Sequence, residues 1–182
     1  MPRLTSELER LSAPGYLDDL PARSIEDLRA MRSECQHAET AVSYLRRVVQ
    51  GRLDIVHGIL DRKASGGGEL SDLVAELPSI IGSGPPRPAG YGRLPSQMSP
   101  DIEDFEEGDL TAEIDAVVDP GQIGALPGMD ADELRAIANR LTEVETRISQ
   151  QRRSLHERID TVQAEIVSRY KSGQASPDGL LA

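Results

Sequence analysis

Glu39, Ser43, Arg46, Gln50 and Asp54 follow one another at intervals of four, three, four and four residues, and Glu145, Ser149, Arg152, His156 and Asp160 repeat those intervals 106 positions later. In an α-helix, at about 100° per residue, the first set falls near 0°, +40°, −20°, +20° and +60° around the axis, on one narrow stripe. The stripe combines carboxylate acceptors, a guanidinium that only donates, and a hydroxyl and an amide that do both. Such a set is costly to bury unless partners satisfy it, and it has the make-up of a ligand-reading face. A single helix with Glu, Arg and Asp at i, i+7 and i+15 is ordinarily a solvated face with weak surface pairs. Recurrence of the whole set at identical spacing argues against that.

The elements that must position the stripe are duplicated as well. Asp27-Leu28-Arg29-Ala30-Met31 matches Glu133-Leu134-Arg135-Ala136-Ile137 at the same offset, and Arg46-Arg47 matches Arg152-Arg153, as expected for an internal repeat of one long helix. Ser24 with Asp27, and Asp130 with Glu133, resemble capping boxes leading into apolar-periodic runs. The first helix is expected from about Ile25 to Lys63, ending at Ala64-Ser65-Gly66-Gly67-Gly68, and the second from just after Asp130 to about Lys171. Leu28, Met31, Cys35, Ala38, Val42, Leu45 and Val49 hold heptad a/d positions, the signature of a coiled coil. Arg52 takes the next d position and the apolar row resumes at Leu53, Val56 and Leu60, which predicts a stutter. In the second helix Leu134, Ile137, Leu141, Val144 and Ile148 form the row, Gln151 interrupts it, Leu155 continues it, and Arg158 precedes Ile159, Val162 and Ile166.

The expected fold is all-α: two long helices forming an intramolecular antiparallel coiled coil, joined by an acidic, partly disordered linker with short helices. Glu39, Ser43, Arg46 and Gln50 fall at e, b, e and b, copy two repeats those assignments, and e faces e′ only in an antiparallel pair, so a shared site favours that orientation. The chain divides into an N-terminal segment (1–23), the first motif helix (24–63), the linker (64–129), the second motif helix (130–171) and a tail (172–182). Residues 1–23 read as a frayed terminus, with a docking segment as the other reading. In the linker, Glu69 to Ile81 reads as a short amphipathic helix, Gly82 to Pro100 as a mobile Gly/Pro/Ser stretch, and Asp101 to Asp119 as an acidic segment that includes a helix from Leu110 to Val118 and could fold on a partner.

Composition narrows the class. Among 182 residues there is one Phe and no Trp, thin for a conventional globular core, so the core is a helix seam. The net charge is −11, but segment 24–63 has seven Lys/Arg against six Asp/Glu, segment 130–171 has eight of each, and the linker has two Arg against twelve acids. An acidic chain is a poor binder of duplex DNA, whereas an acidic segment suits a basic protein partner. Cys35 is the single cysteine, which excludes an intrachain disulfide or a multi-cysteine metal site, and its seam position reads as core. His37 and His57 read as surface residues. With no apolar run near 18 residues and no signal peptide, a cytoplasmic protein without a membrane partner is expected. A Gly-rich phosphate loop, a nucleophile elbow and a catalytic carboxylate pair are all missing, so no enzyme activity and no cofactor are expected.

At the ten motif residues the chain resembles the RsiG family of cyclic di-GMP-binding anti-sigma factors of sporulating actinobacteria, whose pattern is Glu-x3-Ser-x2-Arg-x3-Gln-x3-Asp on each helix of a coiled coil. Copy one matches at all five positions; copy two has His156 in place of the glutamine, and a histidine can still donate and accept. The resemblance implies that two cyclic di-GMP molecules, as an associated dimer, sit on the motif face and that the loaded protein holds a WhiG-type sigma factor inactive. Guanine offers the N7 and O6 acceptors to Arg46 and Arg152, and its donors to Asp54, Asp160, Glu39 or Glu145, with the pairing of acid to base left open. Ser43, Ser149, Gln50 and His156 are candidates for phosphate or ribose contacts, with Arg47 and Arg153 at the rim. Two other classes compete: a structural coiled-coil adaptor with no nucleotide ligand, and a cyclic-dinucleotide hydrolase, which would need a metal cluster.

Overall fold

The computed structural model describes residues 4–66 and 109–174. The helix expected at 69–81, the stretch 82–100, most of the acidic segment and the end of the tail lie outside the described residues. The elements are α1 (Leu4–Ser12), two short 3-10 turns (Pro14–Leu17 and Leu20–Ala22), α2 (Ile25–Ala64), α3 (Asp109–Val117), a 3-10 stretch (Pro120–Gly128) and α4 (Ala131–Lys171). All regular structure among the described residues is helical, and α2 and α4 are the two long helices.

Both long helices begin where their caps dictate. The amide of Asp27 donates to Ser24 Oγ at 3.0 Å while the amide of Ser24 donates to Asp27 Oδ2 at 3.2 Å, a reciprocal capping box. The Ser24 hydroxyl, donating to the same carboxylate, holds Asp27 below the usual carboxylate range. At α4 the amides of Asp132 and Glu133 donate to Asp130 Oδ1, and the amide of Asp130 donates to Glu133 Oε2 at 2.9 Å. α2 stops before Gly66 and α4 before Gly173, both with positive φ. At α4 the amide of Gln174 donates to the Arg169 carbonyl and that of Gly173 to the Tyr170 carbonyl, the Schellman arrangement that glycine permits.

The seam departs from expectation at one point. Every strict heptad position of α2 from Leu28 through Met31, Cys35, Ala38, Val42, Leu45, Val49, Arg52 and Val56 to Ile59 is buried, whereas Leu53 and Leu60 are half-buried. There is no stutter in the burial pattern: the register runs straight through Arg52. In α4 Leu134, Leu141, Val144, Ile148, Leu155, Val162 and Ile166 are buried, with Ile137 and Ile159 half-buried. An arginine keeps a seam position because its long stem lies among apolar neighbours while its guanidinium reaches acceptors beyond them.

The chain forms two compact units, residues 1–44 with 148–182 and residues 45–147. In the first, Arg29, Arg32 and Glu39 of α2 meet Tyr170, Gln163 and Arg152 of α4, rising numbers against falling ones, so the helices are antiparallel. Leu20, Leu28, Met31, Val162 and Ile166 share one cluster, with Tyr16, Leu17, Ile25 and Tyr170 packed against it. The N-terminal segment is therefore docked and not frayed. α1 buries Leu8 and Leu11, each such leucine contributing about 1.5 to 3 kcal/mol. Arg158 holds the end of α1, donating from Nε to the Leu11 carbonyl at 2.5 Å and from Nη2 to the Ser12 carbonyl at 2.9 Å. Arg169 donates to the carbonyls of Leu20 and Arg23. Tyr16 donates to the Met31 carbonyl at 3.3 Å and accepts from Cys35 Sγ, and burial pushes both the phenol and the thiol above their ordinary values. Cys35 is thus a packed residue.

The second unit repeats this plan. α3 buries Leu110 and Ile114, Val118 follows, and Leu126 is buried in the 3-10 stretch. Arg52, 8% exposed, donates from Nη1 to the Val118 carbonyl at 2.7 Å and from Nη2 to Asp115 Oδ1 at 2.5 Å. A cation closing the last carbonyls of a helix is favourable because those groups lack intrahelical partners and carry the negative end of the helix dipole. The parallel shows that the duplication is longer than the motif helices. Leu4-Thr5 matches Leu110-Thr111, Pro14-Gly15 matches Pro120-Gly121, and Leu20-Pro21 matches Leu126-Pro127, all at the offset of 106. Each repeat is a short helix, a 3-10 connection and a long helix.

Arg52→Ala strands the Val118 carbonyl and the Asp115 carboxylate, and is expected to cost about 3 kcal/mol in urea unfolding. Arg158→Ala, whose partner carbonyls lie nearer water, is expected to cost about 1 to 2 kcal/mol. Hydrogen exchange should show α1 amides losing protection in the Arg158 variant; unchanged protection would mean that apolar contacts alone hold α1.

Candidate functional site

The predicted site residues gather into two clusters, one in each unit, and each cluster draws on both copies of the motif. In the first unit Glu39 of copy one is the centre. Its Oε1 accepts from Ser43 Oγ at 2.7 Å, from Arg152 Nε at 3.0 Å and faces His156 Nε2 at 3.1 Å. Arg152 Nε also donates to Ser43 Oγ at 2.9 Å. In the second unit Glu145 of copy two takes the same part, its Oε1 accepting from Arg46 Nε at 3.1 Å and from Gln50 Nε2 at 3.4 Å. The carboxylate of one copy thus meets the guanidinium of the other, an e to e′ contact of the kind that the heptad positions predict for antiparallel helices.

The local geometry follows from spacing. Glu39 and Ser43 are one turn apart on α2, Arg152 and His156 one turn apart on α4, and residues four apart on a helix are neighbours on its surface. Packing the a and d side chains leaves the flanking e and b positions of the motif half-buried: Glu39, Ser43, Arg46, Gln50, Glu145, Ser149 and Arg152 are all in that class. Asp54, Asp160, His156 and the expected rim residues Arg47 and Arg153 are exposed. Arg153 pairs with Glu157 across one turn at 3.9 Å. The structure therefore brings seven of the ten motif residues into two cross-paired clusters, and sets the two aspartates in solvent at the far end of each stripe.

Neither cluster resembles a catalytic centre. Arginine only donates and cannot act as a base at neutral pH, and each glutamate is committed to arginine. Among the described residues no group of three or more His, Cys, Asp or Glu is placed to hold a metal ion. What the clusters offer is recognition: paired acceptors and planar donors that can be exchanged, partner for partner, with the edges of a ligand.

Sequence reading passed over Arg52 and Arg158 as interruptions, although their match at the common offset was a signal that both do the same job. It also missed the repeat of the N-terminal segment, for which the Pro-Gly and Leu-Pro pairs were available.

The sequence model described as RsiG-like matches residues 14–81 and 121–182, most of the chain. The chain belongs to the RsiG-like family. Membership gives this RsiG-like protein a regulatory role of the anti-sigma kind, and a partner of the sigma-factor kind. No curated protein matches the chain. No helix among the described residues is long and apolar enough to cross a membrane.

The side chains of the two Arg–Glu pairs keep between 19% and 37% of their surface in solvent, so each pair contributes only about 0.5 to 1 kcal/mol to folding. Glu39→Gln and Arg46→Gln are accordingly expected to lower unfolding free energy by less than about 1 kcal/mol, far less than Arg52→Ala. A loss of several kcal/mol in urea unfolding would make these pairs structural fasteners instead.

Proposed function

We propose that this RsiG-like protein is a cyclic di-GMP-dependent anti-sigma factor, which binds the nucleotide through its two crossed clusters and, once loaded, holds a WhiG-type sigma factor away from its target genes. The observation that supports the reading is the cross-pairing of a duplicated motif: Glu39 with Arg152, and Glu145 with Arg46. Two clusters suit the two ligand molecules that the family resemblance implies.

Arg46 and Arg152 are each held by a glutamate. A guanine presents N7 and O6 acceptors on one edge and ring N–H and amino donors on the other. Arginine can pass from glutamate to the acceptor edge or to a phosphate, and the released glutamate can take the donor edge. Each polar group then exchanges one partner for another, and none is left unsatisfied. Two nucleotides bring four phosphate charges, and Arg46, Arg47, Arg152 and Arg153 bring four opposite ones. Asp54 and Asp160, exposed at the ends of the stripes, add acceptors for guanine donors. The bound nucleotide offers new edges and charge to a protein partner, so that sigma-factor affinity rises with loading by the differential contacts that the ligand makes in the complex.

Calorimetry with cyclic di-GMP is expected to show tight binding near two molecules per chain, abolished in the Arg46→Ala, Arg152→Ala double variant. Capture of the sigma factor is expected only with the nucleotide present. Sigma-factor capture that ignores both nucleotide and double variant would favour the adaptor reading.

A further inference from the structure

In sequence the two copies of the motif differ at one of their five positions. Where Glu145 accepts from the side-chain amide of Gln50, Glu39 faces the imidazole of His156. An amide does not titrate in the physiological range; an imidazole does, with an ordinary pKa near 6.5. The structural placement makes that difference consequential, because His156 Nε2 stands 3.1 Å from the same Glu39 oxygen that receives Arg152 Nε and Ser43 Oγ.

We propose that His156 couples loading of the cyclic dinucleotide to uptake of a proton, so that the cluster around Glu39 grips its ligand more firmly as pH falls, while the cluster around Glu145 does not respond. The inference rests on the nucleotide reading given above and adds a regulation to it.

The charged groups around His156 set the sign. Glu39 on α2 faces the imidazole directly, and Asp160 and Glu157 lie one turn and one residue further along α4. Arg152 and Arg153 oppose them, one turn and three residues before it. Arg152 and Glu39 are already paired with each other beside the ring. A phosphodiester carries a full negative charge at every pH above the acid range, so its arrival beside the ring adds an anion and no compensating cation. An added anion within a few ångströms favours the imidazolium. The bound form then holds its proton to higher pH than the unbound form, which means that binding takes up protons between those two values. Affinity is constant well above them and rises as pH falls through them. His156 is 46% exposed at its side chain, which limits the effect through solvent screening. The expected gain is about three- to tenfold in affinity between about pH 8 and about pH 6.

The test is calorimetry of the full chain with cyclic di-GMP at about pH 6 and about pH 8, in buffers of different ionisation enthalpy. Wild type, His156→Gln and Gln50→His are compared. Wild type is expected to bind about three- to tenfold tighter at the lower pH with net proton uptake. His156→Gln should bind without that slope or uptake, and Gln50→His should steepen both. Equal pH dependence and equal proton uptake in wild type and His156→Gln, with binding intact in both, overturns the role of His156 and leaves the nucleotide reading standing. An absence of binding by all three proteins at both values overturns the nucleotide reading and this inference with it.

Discussion

Glu39 meets Arg152 across 113 residues of sequence, and Glu145 meets Arg46 across 99. Neither contact is available within one copy of the motif, because a carboxylate and a guanidinium seven residues apart on one helix lie two turns from each other. Antiparallel packing converts two self-unsatisfied stripes into two satisfied clusters. The apolar seam supplies most of the free energy, but it would tolerate other registers of similar burial. The crossed pairs add a requirement that the e positions of one copy stand opposite those of the other, and so they tie the register of the helices to the integrity of the site.

Arginine serves two purposes in this fold, separated by burial. Arg52 and Arg158 sit in or beside the seam and close the carbonyl ends of α1 and α3, where few other residues could bridge the distance. Removing Arg52 strands the buried Val118 carbonyl. Arg46 and Arg152 sit on the flank, partly solvated, and hold glutamates that can be released at little cost. A ligand that offers equivalent acceptors competes on nearly even terms for the flank arginines and has no such opening at the seam. Binding can therefore reorganise the site while the scaffold persists.

Most of this was legible from the chain because it depends on local periodicity. Helix limits followed from the caps at Ser24 and Asp130 and, for the first helix, from the glycines beyond Lys63. The seam followed from heptad spacing up to Val49, and the orientation from the e positions of Glu39 and Arg152. What was not legible depended on groups remote in sequence. Arg52 was read as a break because charge was equated with exposure; its partners, Asp115 and the Val118 carbonyl, lie over 60 residues away. The docking of residues 4–23 was only the second of two readings, for a similar reason. Its pairs with the later repeat are mostly dissimilar, Tyr16 against Gln122 and Asp19 against Ala125, and the matching helix-ending roles of Arg158 and Arg52 give weight to the few identical pairs. The pairing of each copy's glutamate with the other copy's arginine was not anticipated.

The central claim, that the two copies of the motif complete each other, is tested most directly by a double-mutant cycle between Glu39→Gln and Arg152→Gln, read by urea unfolding at low ionic strength and set beside a cycle between Glu39→Gln and Arg153→Gln. The account predicts a coupling of about 0.5 to 1 kcal/mol for the first pair and additivity for the second. Additivity in the first cycle, or equal coupling in both, would contradict it.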